Sequence, residues 1–191
     1  MSNELPFPPR SRGDIEKLQS VRKKIAFQRA LQSRFFKDRL NGIKVDRLDE
    51  PDEWRRIPIL TKDELRYVAA ERFLEDFCIA GQSDIVEYWR SGGATGRPLF
   101  YPRSSEDLKY GMEGFRRLWL AAGCTRDDIA HISFPMGIHP VGHLYARTAE
   151  ELGIGTVWCG AGNNTPSEMQ LELIRTLKPT VWAGMASYGL Q

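Results

Sequence analysis

The sequence predicts an α/β architecture, a parallel sheet layer with flanking helices, and three observations carry that expectation. From residue 104 onward, helix-length amphipathic stretches alternate with apolar runs of four to six residues, the pattern of strands joined by helical crossovers. Most stretches are opened by a capping signal or closed by Gly or Pro. Ahead of them, a glycine-rich segment sits between two short aromatic-rich runs that read as strands.

Residues 1–13, with Pro6, Pro8, Pro9 and Gly13, read as an irregular lead-in. Asp14 is expected to cap one long helix in which Ile15, Leu18, Val21, Ile25, Leu31, Phe35 and Leu40 follow helical spacing, with Asn41-Gly42 as the stop. Thr61-Lys62-Asp63-Glu64 is a capping box that opens a second helix: hydroxyl and carboxylate each satisfy an end N–H. Residues 14–84 are therefore expected to be mainly helical.

Residues 85–191 read as the glycine-rich loop followed by alternating elements. Ser104-Ser105 caps a helix to Ala122, Ile129–Phe134 is a strand and Val141–Leu152 a helix. Thr156–Cys159 is a strand, Thr165-Pro166-Ser167-Glu168 caps a helix that Pro179 ends, and Thr180–Ala183 is a strand. With no internal repeat and no obvious linker, residues 1–191 read as a single unit.

Composition narrows the function classes. Hydrophobic residues make up 41% and charged residues 27%, ordinary for a soluble globular chain. The net charge of +2 gives no general pull toward nucleic acid; residues 1–50 carry 12 basic against 7 acidic side chains, which reads as a solvated helix face. No nucleic-acid or membrane partner is expected, since no apolar stretch approaches the ~20 residues of a membrane span. Cys78, Cys124 and Cys159 form no C-x-x-C pair, as expected of reduced thiols in a cytoplasmic protein.

The segment Ser91-Gly92-Gly93-Ala94-Thr95-Gly96-Arg97-Pro98 is the leading candidate for chemistry. Successive backbone N–H groups in a tight glycine turn form an anion-binding concavity, and Ser91, Thr95 and Arg97 add hydroxyl donors and a positive charge. It is not a Walker loop, because Arg97 is followed by proline and a strand, not by a helix. A plain hairpin turn is the alternative that local physics leaves open.

His139 and His143 are four apart, but Pro140 and Gly142 lie between them and the acidic position of H-E-x-x-H is missing, so no metal site is expected. No catalytic residue is identified: Cys124 lacks a neighbour to lower its pKa, and Ser91 lacks the G-x-S-x-G context.

The glycine-rich segment resembles the phosphate loop of the adenylate-forming (AMP-binding) enzymes, [ST]-[ST]-G-[ST]-T-G-[KR]-P. Arg56–Arg66 is similar to the LP-x-x-TK-x-DLR segment of their phenylacetate–CoA ligase branch. Glu150-Glu151-Leu152-Gly153 with Gly160–Thr165 resembles its AERLG and G-x-GNT stretch, and Ala186–Leu190 its PSYAL segment. Gly92 and Ala94 stand where the family has hydroxyls, and Ala186 where it has proline.

The resemblance implies part of the large N-terminal domain of an AMP-forming acid–CoA ligase. Ser91, Gly92, Gly93, Ala94, Thr95, Gly96 and Arg97 would then hold nucleotide phosphates. His139 and Tyr188 would border the acyl pocket, though each is equally open to a reading with no role in binding. ATP, Mg2+ and coenzyme A are implied as cosubstrates, none bound tightly by this chain alone, with a small carboxylic acid as the second substrate. Because the family's later segments have no counterpart here, the chain is expected to be incomplete and inactive by itself. The alternative is a non-catalytic interaction module or split-gene product that self-associates or needs a complementary chain.

Overall fold

Ser11, three residues ahead of the expected Asp14, caps the first helix. The computed structural model describes residues 9–68, 72–91 and 99–190. Helix α1 (Arg12–Ala30) opens where Ser11 Oγ accepts the Asp14 N–H at 3.1 Å. Asp14 therefore lies in the first turn, where its charge meets the positive end of the helix dipole.

The single helix expected to reach Asn41 is two helices, because the chain turns at Leu31–Ser33 and resumes as α2 (Arg34–Arg39). Ser33 is buried, its backbone is extended, and its hydroxyl donates to the Asp76 carbonyl at 2.7 Å. A side chain bonded outside the helix in this way competes with continued helical pairing. Gly42 then reverses the chain with φ +80°, and Phe27, Leu40 and Leu48 close a small core.

Three short helices follow, α3 (Pro51–Arg55), α4 (Lys62–Arg66) and α5 (Phe73–Phe77). The capping box of α4 forms as its sequence indicates: Glu64 Oε2 accepts the Thr61 N–H at 2.7 Å, and Thr61 Oγ1 accepts the Glu64 N–H at 3.3 Å. The Thr61 N–H, then the Arg39 guanidinium, hold the Glu64 carboxyl down at about 2.

Strands β1 (Ile85–Arg90) and β2 (Phe100–Ser104) pair antiparallel, with Trp89 opposite Tyr101 and Arg90 opposite Phe100. Ser104 and Asp107 form a second capping box at the start of α6 (Ser105–Ala121). The remainder alternates as β3 (Ile129–Ser133), α7 (Pro140–Glu151), β4 (Gly155–Trp158), α8 (Ser167–Leu177), β5 (Val181–Gly184) and the single turn α9 (Ala186–Gly189). Strands β4 and β5 flank β3, both parallel to it.

The start of α8 differs from the expected Thr165 and Glu168 cap. Pro166 occupies the cap position without a side-chain bond, and the Thr165 carbonyl accepts Gln170 Nε2 instead. The helix ends on Lys178, held at φ +49°, with Pro179 beyond it.

Strand alternation gives β3 two unlike faces. Ala130 and Ile132 join Trp119, Ala146, Ala149, Ile154 and Ala183 in the main core, so α6 and α7 cover one face. His131 and Ser133 face the other way and bond Gln170 of α8. None of the described helices is long and apolar enough to cross a membrane.

Glu113 on α6 accepts from Arg116 at 2.7 Å and Arg117 at 2.6 Å with its side chain only 12% exposed. Arg116, then Arg117, hold its carboxyl near about 2, below the ordinary 4.5. A depressed carboxylate contributes stability that is complete above its unfolded pKa and is lost as pH falls toward the folded one. Glu113→Gln is accordingly expected to lower the thermal midpoint at neutral pH, with the gap to wild type closing between 4.5 and about 2. Midpoint curves that stay parallel through that range count against it.

Candidate functional site

The neck of the β1–β2 hairpin is closed by one residue pair. Ser91 N–H donates to the Leu99 carbonyl at 2.9 Å, and Leu99 N–H donates to Ser91 Oγ, also at 2.9 Å. Ser91 Oγ is thereby an acceptor, which leaves its O–H proton to give to a ligand. The other expected phosphate-binding residues, Gly92, Gly93, Ala94, Thr95, Gly96 and Arg97, lie outside the described residues.

That neck is fastened to the turn after β3. Arg90 N–H donates to the Ile138 carbonyl at 3.2 Å. Behind it, Trp89 Nε1 donates to Glu87 at 2.8 Å, and the other Glu87 oxygen pairs with Arg147 of α7. One turn earlier on α7, the His143 ring lies 5.3 Å from Trp89, centroid to centroid, and its Nε2 is 3.0 Å from the Gly137 carbonyl. Glu87, Arg147 and His143 were not legible as site residues. The available signal was the i, i+4 spacing of His143 and Arg147 on one helix face, which says nothing about what they meet.

The three parallel strands send their following turns to one edge of the sheet. Helices α7 and α8 cover opposite faces, so the turns after β3 and β4 leave this edge in opposite directions, the arrangement at which open α/β sheets bind ligands. Backbone bonds stitch its base: the Gly160 N–H donates to the Ile132 carbonyl at 2.9 Å. Asn164 Oδ1 accepts the Met136 N–H at 3.5 Å, linking the turn after β4 to the turn after β3. Gly160 has φ +71°, and a Cβ there would lie 2.7 Å from the Asn164 side chain, so only glycine fits.

A polar network centred on the buried His131, Ser133 and Gln170 supports this edge from below. Gln170 Oε1 receives the Ser133 hydroxyl at 2.9 Å and His131 Nε2 at 3.1 Å; Gln170 Nε2 donates to the carbonyls of Gly160 and Thr165. Trp182 Nε1 donates to Ser133 Oγ at 3.1 Å. Since Gln170 Oε1 only accepts, the network assigns the His131 proton to Nε2 and leaves Nδ1 as acceptor toward Cys159 Sγ, 3.8 Å away. Burial pushes the Cys159 thiol up, as it does Cys124. Neither is poised as a nucleophile.

His139 stands half-buried at the residue before Pro140, the first of α7, with extended backbone and no capping bond from its ring. Tyr188 lies on α9, where its hydroxyl shares a 2.8 Å hydrogen bond with Ser167 Oγ. It lines an open cleft of about 750 Å³ with Leu171, Ile174, Trp182 and Leu190. The two residues share the sheet edge without a hydrogen bond between them. His143 turns away from His139 toward Gly137, and among the described residues no three His, Cys, Asp or Glu side chains gather as metal ligands.

No family model matches the chain. It is 26% identical over 149 residues to phenylacetate–coenzyme A ligase of Pseudomonas putida, a match covering 78% of this chain and 32% of that ligase. Among solved structures, an open conformation of 2-hydroxyisobutyryl-CoA ligase, in complex with 2-HIB-AMP and CoA, aligns with TM-score 0.84 and 18% identity. That alignment covers 100% of this chain and 47% of the ligase. The same ligase in its thioesterification state aligns with TM-score 0.83 and 18% identity, over 100% of this chain and 43% of the ligase. The chain thus spans about a third of the curated relative and just under half of the solved ones. Its resemblance is to the phenylacetate–CoA ligase branch, and its fold is that of the N-terminal part of adenylate-forming CoA ligases.

Proposed function

We propose that this chain is the N-terminal part of an AMP-forming acid–CoA ligase acting on an aryl or arylacetyl carboxylate. The observation that carries the reading is the joint between Arg90 N–H and the Ile138 carbonyl. It sets the neck of the glycine-rich stretch against the turn that bears His139, so that a phosphate and a carboxylate bound at the two would be neighbours. The chain's likeness to acyl-CoA ligases supports it.

In this reading the carboxylate attacks the α-phosphorus of ATP, releasing pyrophosphate and forming an acyl-AMP, and coenzyme A then displaces AMP to give the thioester. Catalysis of such a step is largely positioning and charge neutralisation. Ser91, Gly92, Gly93, Ala94, Thr95, Gly96 and Arg97 hold the β- and γ-phosphates, while His139 and Tyr188 border the acyl group. Mg2+ would supply charge neutralisation on the triphosphate, and among the described residues no cluster of three or more His, Cys, Asp or Glu side chains gathers to hold it.

The 191 residues by themselves are expected to give little ATP–pyrophosphate exchange with phenylacetate, yet to bind pyrophosphate weakly at the glycine-rich stretch. In amide NMR titrations Arg97→Ala should weaken that binding by about ten- to a hundredfold, the worth of one charge-assisted hydrogen bond. Robust exchange by this chain, or pyrophosphate shifts that survive the substitution, overturns the reading. A second reading, a module completed by a separate chain, is favoured by the apolar cleft at β5, where Trp182 is 39% and Leu190 90% exposed. Exchange activity that returns when the C-terminal portion of a phenylacetate–CoA ligase is supplied as a separate chain decides for it.

A further inference from the structure

We propose that His143 is a positioning residue that fixes the turn 137–139 against the neck of the glycine-rich stretch; the inference rests on the phosphate-binding role given to that stretch above. His143 touches both sides of the joint. Toward the turn, its Nε2 lies 3.0 Å from the Gly137 carbonyl and 3.2 Å from the Gly137 N–H. Toward the hairpin, its ring packs on Trp89, two residues ahead of Ser91, and on the far side it meets Trp158 with centroids 6.4 Å apart.

The turn needs such a restraint. Gly137 has φ +93°, and the space where its Cβ would stand is empty within 4 Å, so local sterics do not hold this peptide. The imidazole holds it by hydrogen bonding, accepting from the N–H or donating to the carbonyl according to the tautomer. From Gly137 the restraint passes to the next residue, Ile138, whose carbonyl receives the Arg90 N–H. It passes a second time through Trp89, which Glu87 and Arg147 lock to the same helix as His143. Two routes therefore run from one ring to the residue pair that closes the phosphate-binding neck.

His143→Leu keeps an apolar contact with Trp89 and removes the bond to Gly137. His143→Gln supplies an amide whose NH2 can donate to the carbonyl of that residue or whose oxygen can accept from its N–H. The test is pyrophosphate affinity of the full chain by amide NMR titration, read alongside thermal midpoints and the ligand-free amide shifts of Arg90 and Ser91. The expected result is about five- to tenfold weaker pyrophosphate binding in His143→Leu, the loss of one hydrogen bond's worth of positioning. Its ligand-free shifts should reach Arg90 and Ser91, and His143→Gln should recover most of the affinity. A merely structural role predicts that affinity follows the midpoint in both variants. The inference is overturned if His143→Leu binds pyrophosphate as wild type does, if its shifts stop at the turn, or if Gln binds no better than Leu. Wild type that binds no pyrophosphate overturns the phosphate role itself, and this positioning role with it.

Discussion

Gln170→Leu is expected to destabilise the chain by about 3–5 kcal/mol, through stranded polar groups and without a cavity. Leucine nearly matches the volume of glutamine, so packing changes little. What changes is bonding: the carbonyls of Gly160 and Thr165 and the His131 Nε2–H lose the amide, and the Ser133 hydroxyl loses its acceptor while still receiving the Trp182 indole. Gln170 is 4% exposed, and His131 and Ser133 are fully buried, so water does not replace what is lost. The effect should also reach the sheet edge, because this amide bonds both ends of the Gly160–Thr165 turn. Urea denaturation with an unchanged slope and a markedly lower midpoint is the expected outcome. A loss under about 1 kcal/mol would mean that the network contributes no more than an ordinary exposed polar contact.

Gly142→Ala should run against the usual benefit of alanine in a helix. That benefit is about 1 kcal/mol. Here the added Cβ would stand 2.8 Å from the Pro135 carbonyl oxygen and 3.1 Å from that of Phe134. Both obstacles are backbone, so relief requires the turn after β3 to move, and overpacking of this kind costs about 1–3 kcal/mol. The net change is expected to be destabilising. It should also shift the amide resonance of Arg90, since the displaced turn carries the Ile138 carbonyl that receives it. A variant more stable than wild type, with Arg90 unmoved, would show that the turn yields freely.

Local chemistry was the legible part of this fold. Thr61 and Glu64 are three residues apart and form the bonds their spacing implies, and the strand–helix alternation after residue 104 gives the parallel sheet. Features set by distant partners were not legible. The helix break at Ser33 depends on the carbonyl of Asp76, and the true start of α8 depends on Gln170 reaching back to Thr165. His131 and Ser133 look in sequence like polar interruptions of an apolar strand, and only the facing amide explains them. At the site, the hairpin around the glycine-rich stretch could be anticipated from its aromatic flanks. The pairing of Glu87 with Arg147 joins residues with no sequence relation, and the four-residue spacing of His139 and His143 invites a metal reading although the partner of His143 is Gly137.

The position of β3 between β4 and β5 also sets an order of events in time. Its first neighbour is reached when Ile129 meets Gly155, but the second pairing brings Ala130 to Val181, across nearly all the intervening chain. Each closure must restrict a long loop before any ladder bond rewards it, and rates fall as such separations grow. During synthesis from the N-terminus, α1 and α2 can settle against each other while β3 still lacks both neighbours. Until Val181 arrives, the indole that donates to Ser133 is missing and the His131 face of β3 stands partly open. Of the three described parallel strands β5 is made last and supplies the second neighbour of β3, and the interval before it arrives is when this chain is most exposed to association with its copies.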